Sequence, residues 1–315
     1  MVGMGCALWW HGWDNRQTPL PTVIGTILYE PKPPPPPPRA DLMRFQPDRT
    51  LELLRPDGSS VSIGYHSAVL DPSWINVEFF GGWNREMEAN DDTDALLFTS
   101  GPTFARGRGN GELGMRLHGD LMLANGTWRA GNLTAARERA WMGISHDGAL
   151  EFGYGPLTPE LEQQLRLFIG GLHAFTNTTR DAPETYEGVY GEMHLADVRI
   201  VYGLRADGKL ELVETADGVH FRDLKHFVEQ KGFLAAYLPD HASKSRLIIP
   251  GTRPWSQEQA VWVSGGKPSI TQMPFLLHEV FQVPEVDSIG GFHQFQLPVR
   301  SQPVDDPNIG ETHLA

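Results

Sequence analysis

The sequence predicts an α+β protein with a mixed sheet, flanking helices, a single main domain and extended arms at both ends. Hairpin-like strand pairs predominate between residues 50 and 250, and the pair at 198–218 is the clearest. Two segments with helical signals, 158–170 and 221–231, interrupt the strands. A short apolar strand, 234–238, follows the second helix, and this order of hairpin, helix and strand is typical of α+β domains.

Composition restricts the class of function. The 315 residues are 40% hydrophobic and 21% charged, as in ordinary soluble proteins. The net charge of −13 argues against nucleic acid as a partner, because phosphate neutralisation needs a Lys/Arg surface. Cys6 is the only cysteine, which excludes an intramolecular disulfide framework and a cysteine zinc site. No HExxH motif or lysine-containing phosphate loop is present, so we expect no metal and no cofactor.

Residues 1–49 form the first predicted segment. They contain six consecutive prolines, Pro33 to Pro38, which favour a stiff polyproline II spacer. The alternative is a ligand for an aromatic groove on another protein. The apolar stretch around Cys6 is a poor signal peptide as written, but it would allow proximity to a membrane.

The main domain, residues 50–250, begins with strands. Residues 50–70 and 139–153 each predict two strands joined by an Asp-Gly turn. Residues 74–80 predict a strand that ends at a Gly-Gly pair, and residues 111–132 predict short strands with glycine turns.

Two helices complete this domain. The first is expected at 158–170, where Thr158 can cap the amino end and a Gly-Gly pair ends the run. The second is expected at 221–231, with an apolar face and Gly232 as its C-cap. We expect one sheet to contain the strands at 74–80, 198–204, 209–215 and 234–238.

Residues 251–315 show no convincing periodicity and are rich in proline and aromatic residues. We expect an irregular C-terminal arm that packs on another protein, because long irregular segments need contacts that offset their ordering entropy.

Three blocks of the main domain resemble the phosphodiester glycosidase family. They are INVEFFGGWN (75–84), DVRIVYGLRADGKLELVETADG (197–218) and FRDLKHFVEQKGFLAAYLPDHAS (221–243), and a weaker fourth match is RAWMGISHDGALEFGYGPL (139–157). The blocks occur in the order found in the family. Two positions depart from its pattern: Glu78 stands where the family has glycine, and Pro239-Asp240-His241 replaces an Asp-Gly-Gly turn.

The resemblance implies a set of site residues. Arg199 would bind a phosphate group through its two-pronged guanidinium, and Asp240 would act as the acid or base. His241 would carry a proton, and Asn76 would orient a sugar hydroxyl. Two further candidates for substrate binding are Ser243 and Glu78.

Each of these residues also has a purely structural interpretation. Arg199 could lie on the exposed face of a strand, and Asp240 could cap turn amides. His241 could be a solvated side chain, and Ser243 could form a turn. Asn76 could satisfy neighbouring backbone groups. Glu78 could simply face the solvent.

The altered Asp-Gly-Gly turn predicts a degenerate phosphodiester glycosidase-like domain that serves as a structural or binding subunit of a larger extracytoplasmic assembly. Its partners would be other protein subunits, held through the polyproline segment and the C-terminal arm, and a carbohydrate or sugar-phosphate ligand. The alternative is an active hydrolase of a sugar-phosphate diester, with Asp240 as acid/base and Arg199 as phosphate binder.

Overall fold

The structure is a computed structural model, and its described residues begin at Arg39. The described ranges are 39–102, 104–106, 115–129, 139–175, 196–216, 218–240, 246–256, 261–264, 267–270 and 275–281. The predicted polyproline spacer at Pro33 to Pro38 and the last part of the predicted C-terminal arm, 282–315, lie outside these ranges.

Strands dominate the described chain. In chain order they are β1 (Met43–Leu54), β2 (Ser60–Leu70), β3 (Ile75–Gly81), β4 (Ala95–Thr99), β5 (Phe104–Arg106), β6 (Met115–Leu117), β7 (Leu121–Leu123), β8 (Gly126–Trp128), β9 (Ala140–Ser145), β10 (Leu150–Tyr154), β11 (Leu165–Gly170), β12 (His173–Phe175), β13 (Ile200–Leu204), β14 (Leu210–Thr215), β15 (Ala235–Leu238), β16 (Leu247–Ile248), β17 (Val261–Ser264), β18 (Lys267–Ile270) and β19 (Phe275–Phe281). The helices are α1 (Arg39–Leu42), α2 (Glu86–Asp91), α3 (Pro159–Gln164) and α4 (Phe221–Lys231), with a 3-10 turn at Pro72–Trp74. The predicted α+β class is confirmed, and the strand pairs among the described residues are antiparallel.

The largest sheet has six strands in the order β1-β2-β14-β13-β15-β12. It contains the predicted hairpins at 50–70 and 198–218 and the predicted strand at 234–238, which are confirmed. The first strand of this sheet begins earlier in the sequence than predicted, since β1 starts at Met43 rather than near residue 50. Tyr202 and Tyr237 point from one face of this sheet into the main hydrophobic core.

Helix α4 covers the other face of the six-stranded sheet, as its sequence predicts. Leu224, Phe227 and Val228 are fully buried against that face. Gly232 ends the helix in the left-handed conformation at φ 76°, where a residue without Cβ avoids a steric cost. No helix in the described part of the chain is long and apolar enough to cross a membrane.

A second sheet has five strands in the order β10-β9-β11-β7-β8. It contains the predicted hairpin at 139–153, which is confirmed. Met142 of β9 and Ile169 of β11 enter the same hydrophobic core as Tyr202 and Tyr237. The two sheets therefore share one core, and this contact sets the position of the residues that follow their strand ends.

The predicted helix at 158–170 is wrong beyond its first turn and a half. Thr158 accepts a hydrogen bond from the Leu161 amide at 3.3 Å and caps α3, but α3 ends at Gln164. The remaining residues form β11, which pairs with β9 and β7. Leu167 and Ile169 share one face and Phe168 takes the other, so burial on both sides of a strand prevailed over helix propensity.

Strand β3 does not belong to the six-stranded sheet, which corrects the prediction for residues 74–80. It lies at the edge of a four-stranded sheet with the order β16-β4-β19-β3. The alternation of apolar and polar residues predicts this strand correctly, since Ile75 and Val77 are both buried in the main core. Alternation does not identify the neighbouring strand, and the true neighbour is distant in sequence.

That neighbour comes from the predicted C-terminal arm. Residues 275–281 form β19, which lies between β3 and β4 and pairs with both. Residues 261–264 and 267–270 pair as a further hairpin. This part of the 251–315 segment is thus regular β-structure, and 275–281 is an interior strand of the four-stranded sheet.

Candidate functional site

Arg199 and Asp240 lie at the same end of the six-stranded sheet. Strand β13 pairs with β15 through Tyr202↔Tyr237, Gly203↔Ala236 and Leu204↔Ala235. Arg199 precedes β13 and Asp240 follows β15, so this antiparallel pairing brings both residues to the same end of the sheet. Arg199 is 0% exposed and Asp240 is 4% exposed, so both charged groups are buried at this strand end.

Buried neighbours hold the Arg199 side chain on the α4 side of the sheet. Its Nε donates to the Val219 carbonyl at 3.2 Å, and a terminal guanidinium nitrogen lies 3.8 Å from a carboxylate oxygen of Asp197. Its backbone amide donates to the Thr215 hydroxyl at 2.9 Å. These contacts tie the start of β13 to the end of β14 and to the segment that precedes α4. The predicted phosphate role of Arg199 stays a prediction.

Asn76 and Glu78 lie on β3, in a different sheet from Arg199 and Asp240. The Asn76 side-chain oxygen accepts from the Val77 amide at 3.0 Å, so the amide engages adjacent backbone. Glu78 is half-buried and stands opposite His278 of β19. Both residues point to the face opposite Ile75, away from the main core.

Two predicted site residues, His241 and Ser243, lie outside the described residues. The residues just before them are described: β15 ends at Leu238, and Asp240 follows it in a buried position. The strand thus brings Pro239 and Asp240 to the end of the sheet, as its sequence predicts.

A second buried arginine, Arg139, lies in this region, and the sequence analysis did not select it. Arg139 is 2% exposed and precedes β9. One of its terminal nitrogens donates to His118 Nδ1 at 3.1 Å. Its carbonyl accepts from the Gly155 amide at 2.8 Å, which fixes its backbone. The arginine and the histidine are 21 positions apart in sequence, so no local motif shows their contact.

Asp120, the residue that precedes β7, binds backbone in the same region. Its Oδ2 accepts from the Leu157 amide at 2.9 Å, and its carbonyl accepts from the Gly170 amide at 2.7 Å. The His-Gly-Asp triplet at 118–120 is visible in the sequence, but its spacing matches no metal site. In the structure its histidine contacts Arg139, and its aspartate binds backbone.

Tyr237 connects the two sheets at this point. Its hydroxyl donates to the Gly170 carbonyl at 2.7 Å. A Cβ on Gly171 would lie 2.2 Å from that hydroxyl, so only glycine leaves room for it. The Gly171 amide in turn donates to the Ala140 carbonyl at 2.7 Å. Tyr237 is therefore bonded to Gly170, and the next residue, Gly171, is bonded to Ala140, which follows Arg139 in the chain.

We use the name polar end for the buried or half-buried polar residues that lie at or next to strand ends in this part of the two sheets: Arg199, Asp240, Tyr237, Arg139, His118 and Asp120. Burial raises the pKa of Tyr237 well above its usual value, and Tyr202 and Asp240 raise it further, whereas Arg139 opposes them. The phenol is thus a neutral hydrogen-bond donor at physiological pH.

His173 borders the polar end on β12, opposite Leu238. Its ring packs against Phe221 at 4.9 Å and against Tyr154 at 6.3 Å between centroids. Burial, with a smaller contribution from Lys225, lowers the pKa of His173 to about 3. His173 is therefore neutral near pH 7 and does not supply a cation to the polar end.

Among the comparisons with known proteins, only the comparison with solved structures gives matches, and these concern the fold. No family model and no curated protein sequence matches the chain. The zebrafish N-acetylglucosamine-1-phosphodiester alpha-N-acetylglucosaminidase catalytic domain, auto-inhibited by a pro-peptide, matches with a TM-score of 0.53 and 15% identity over 77% of this chain and 84% of that one.

Two bacterial structures are more distant. A hypothetical protein from Synechocystis gives a TM-score of 0.49 and 9% identity over 77% of this chain and 62% of its own. A putative exported protein from Burkholderia pseudomallei K96243 gives a TM-score of 0.39 and 12% identity over 70% of this chain and 74% of its own. The chain therefore resembles the zebrafish glycosidase catalytic domain at the level of the fold.

Proposed function

We propose that the chain is a phosphodiester glycosidase-like domain that binds a sugar-phosphate ligand at the polar end and hydrolyses it weakly or not at all. The observation that carries this proposal is the burial of Arg199 and Asp240 at one strand end within the shared fold. Buried charges of opposite sign at a sheet end can bind and orient a ligand that carries both hydroxyl and phosphate groups.

One feature argues for weak hydrolysis. Pro239 stands within the segment where the resembling family has glycines, so its φ is fixed and it offers no amide donor. A displacement of about 1 Å between reacting groups costs on the order of 10²-fold in rate, so such a site retains binding more readily than catalysis.

The direct test uses an N-acetylglucosamine-1-phosphodiester as ligand, because the zebrafish protein is named for that substrate. Calorimetry measures binding, and release of N-acetylglucosamine measures turnover. We expect measurable binding with little or no turnover. The Asp240→Asn variant tests the site, and Asp207→Asn in the exposed turn between β13 and β14 is the matched control.

Robust turnover that Asp240→Asn abolishes and Asp207→Asn leaves intact would overturn the proposal and establish an active hydrolase. Absence of both binding and turnover would overturn the ligand-binding part and leave a structural subunit.

The proposal extends to location and partners: an extracytoplasmic domain held in an assembly through Pro33 to Pro38 and the C-terminal segment. The sequence supports it through the polyproline run, which is suited to a spacer or a groove ligand. The test compares the native size of the full chain in its own cell extract with that of a variant whose six prolines are replaced by a Gly-Ser linker. Equal size as a monomer in both would contradict the assembly role.

A further inference from the structure

A bulge in edge strand β1 is held by a side chain from the neighbouring strand. Strand β1 pairs with β2 in two parts, because the register shifts between Gln46 and Arg49. Asp48 lies in this bulge with a backbone φ of 48°, a left-handed conformation that is uncommon for residues other than glycine. Its backbone amide donates to Nδ1 of His66, on β2, at 3.1 Å. The contact between Asp48 and His66 therefore stabilises the bulge in this conformation.

This contact requires a neutral His66 ring. The Asp48 amide is a donor, so Nδ1 must accept, and the proton of the neutral ring lies on Nε2. A solvent proton that adds to Nδ1 turns this atom into a donor, which can no longer accept from the amide. The Asp48 carboxylate oxygen Oδ1 lies 3.8 Å from the same nitrogen and offers the charged ring an acceptor. Protonation thus exchanges a bond to the backbone for one to the side chain.

The charged groups around His66 favour the neutral ring. On β14, Glu214 stands opposite His66, and its carboxylate is bonded to the Arg253 guanidinium and also interacts with Arg246. Burial lowers the pKa of His66 below its ordinary value, Arg253 lowers it further, and the Asp48 carboxylate opposes both. The ring is therefore neutral at pH 7, and its charged form predominates only below about pH 6.5.

The bulge adjoins a segment that lines two cavities. This segment, residues 39–46, comprises α1 and the first part of β1. Ala40 and Met43 line both a cavity of about 660 Å³ and a neighbouring one of about 430 Å³. Leu42, which is 1% exposed, anchors the segment in the main core. Pro47, between the segment and Asp48, has no amide hydrogen and cannot replace a bond that Asp48 loses.

We propose that the contact between His66 and Asp48 is a pH-sensitive device: near pH 7 the neutral ring holds the β1 bulge, and in mild acid the protonated ring releases it and loosens residues 39–46. The solvent proton is the only reactant, so its removal restores the original contact. This inference goes beyond the proposed function and does not depend on a ligand at the polar end.

The experiment is amide hydrogen exchange of the full chain, followed by NMR at pH 7 and pH 5 and corrected for the intrinsic exchange rate. We expect protection of the Asp48 amide to fall about tenfold at pH 5, as for the loss of one hydrogen bond. Amides of residues 43–46 should lose protection with it, whereas those of 50–53, beyond the bulge, should not. A titration of the His66 ring should give a midpoint below pH 6.5.

His66→Asn separates protonation of this ring from other effects of acid. The asparagine oxygen takes the position of Nδ1 and accepts at any pH, so the Asp48 amide should be equally protected at pH 5 and pH 7. His226→Asn is the matched control, because Nδ1 of His226 lies 3.1 Å from Glu229 on α4, and this variant should respond like the unmodified chain. If His66→Asn does not fold, the unmodified chain still decides the outcome.

Three results would overturn the inference. The first is equal protection of the Asp48 amide at pH 5 and pH 7 in the unmodified chain, or a loss there without a loss at residues 43–46. The second is a His66 midpoint above pH 6.5, which would show that the carboxylate contact is already preferred near neutrality. The third is a fall in protection of the same size in folded His66→Asn.

Discussion

The hydroxyl of Tyr237 occupies the space in which a side chain at Gly171 would begin, because a Cβ there would lie 2.2 Å from the hydroxyl oxygen. The two residues come from different sheets, on β15 and just after β11. Their contact is therefore one of the places where the six-stranded and five-stranded sheets are held at a fixed distance.

Gly171→Ala should lower the free energy of unfolding by about 1–3 kcal/mol, because an added methyl group must displace a fully buried tyrosine. Gly64→Ala is the matched control, since its Cβ would lie 3.3 Å from the Ala216 Cβ and needs only a small adjustment. Chemical denaturation measures both. Equal stability of Gly171→Ala and the unmodified chain would show that Tyr237 moves without cost.

Tyr237→Phe should also destabilise the chain, by about 1–3 kcal/mol, because the buried Gly170 carbonyl loses the donor that lies 2.7 Å away. The ring stays, so packing changes little. Tyr65→Phe is the control, since the Tyr65 hydroxyl makes no hydrogen bond to a described residue although its ring packs on Phe227. A loss of the same size in both variants would contradict a specific role for the Tyr237 hydroxyl.

His173 should make stability depend on pH. Its folded pKa of about 3 lies below the unfolded value near 6.5, so the unfolded chain binds the proton more tightly. This contribution is fully present above about pH 6.5 and is lost as the pH falls toward 3, at up to about 1.4 kcal/mol per pH unit.

Unfolding free energies measured between pH 4 and 7 should therefore fall less steeply in His173→Phe, which keeps the ring contacts with Phe221 and Tyr154. This range runs from about half a pH unit above the onset near pH 6.5 to about 2.5 units below it. An NMR titration of His173 with a midpoint above pH 6 would refute the expectation directly.

Asn125 should be structural rather than a carrier of glycan. Its side-chain oxygen accepts from the Phe79 amide at 3.0 Å and its nitrogen donates to the Phe79 carbonyl at 3.1 Å, as a neighbouring strand would. Asn125→Ala should cost about 1–2 kcal/mol through the loss of both bonds.

Asn125 also heads an Asn-Gly-Thr sequence, an acceptor motif in eukaryotic secretion. Because attachment of a sugar would compete with the bond to Phe79, we expect this asparagine to stay unmodified when the chain is secreted from a eukaryotic host. Peptide mass spectrometry checks this, and full occupancy would contradict it.

The sequence was sufficient where the determining contacts are local. Asp207-Gly208 specifies its hairpin through turn chemistry, with Gly208 at φ 79°, and Gly232 ends α4 in the same way. Strand β11 was mistaken for helix because Thr158 and Pro159 are genuine helix-start signals, whereas the pairing that makes Leu167 and Ile169 a strand comes from β9 and β7.

Some residues of the candidate site could likewise be predicted from the sequence, and others could not. Asp240 and Arg199 could be selected because both stand in blocks that resemble the phosphodiester glycosidase family, and Asp240 also follows an evident strand. Arg139 and His118 could not, since their 3.1 Å contact joins positions 21 residues apart through pairing between β7, β9 and β11. No spacing rule relates such residues, and only the register of the second sheet brings them together.

The position of β19 has a consequence for the order of synthesis. The strand that separates β3 and β4 ends at Phe281, about 180 residues after the end of β4 at Thr99. Until then the nascent chain carries two unpaired strand edges, the kind of surface on which other chains add. This sheet therefore cannot close strand by strand from the amino end, and the facing edges of β3 and β4 stay open until β19 has been translated.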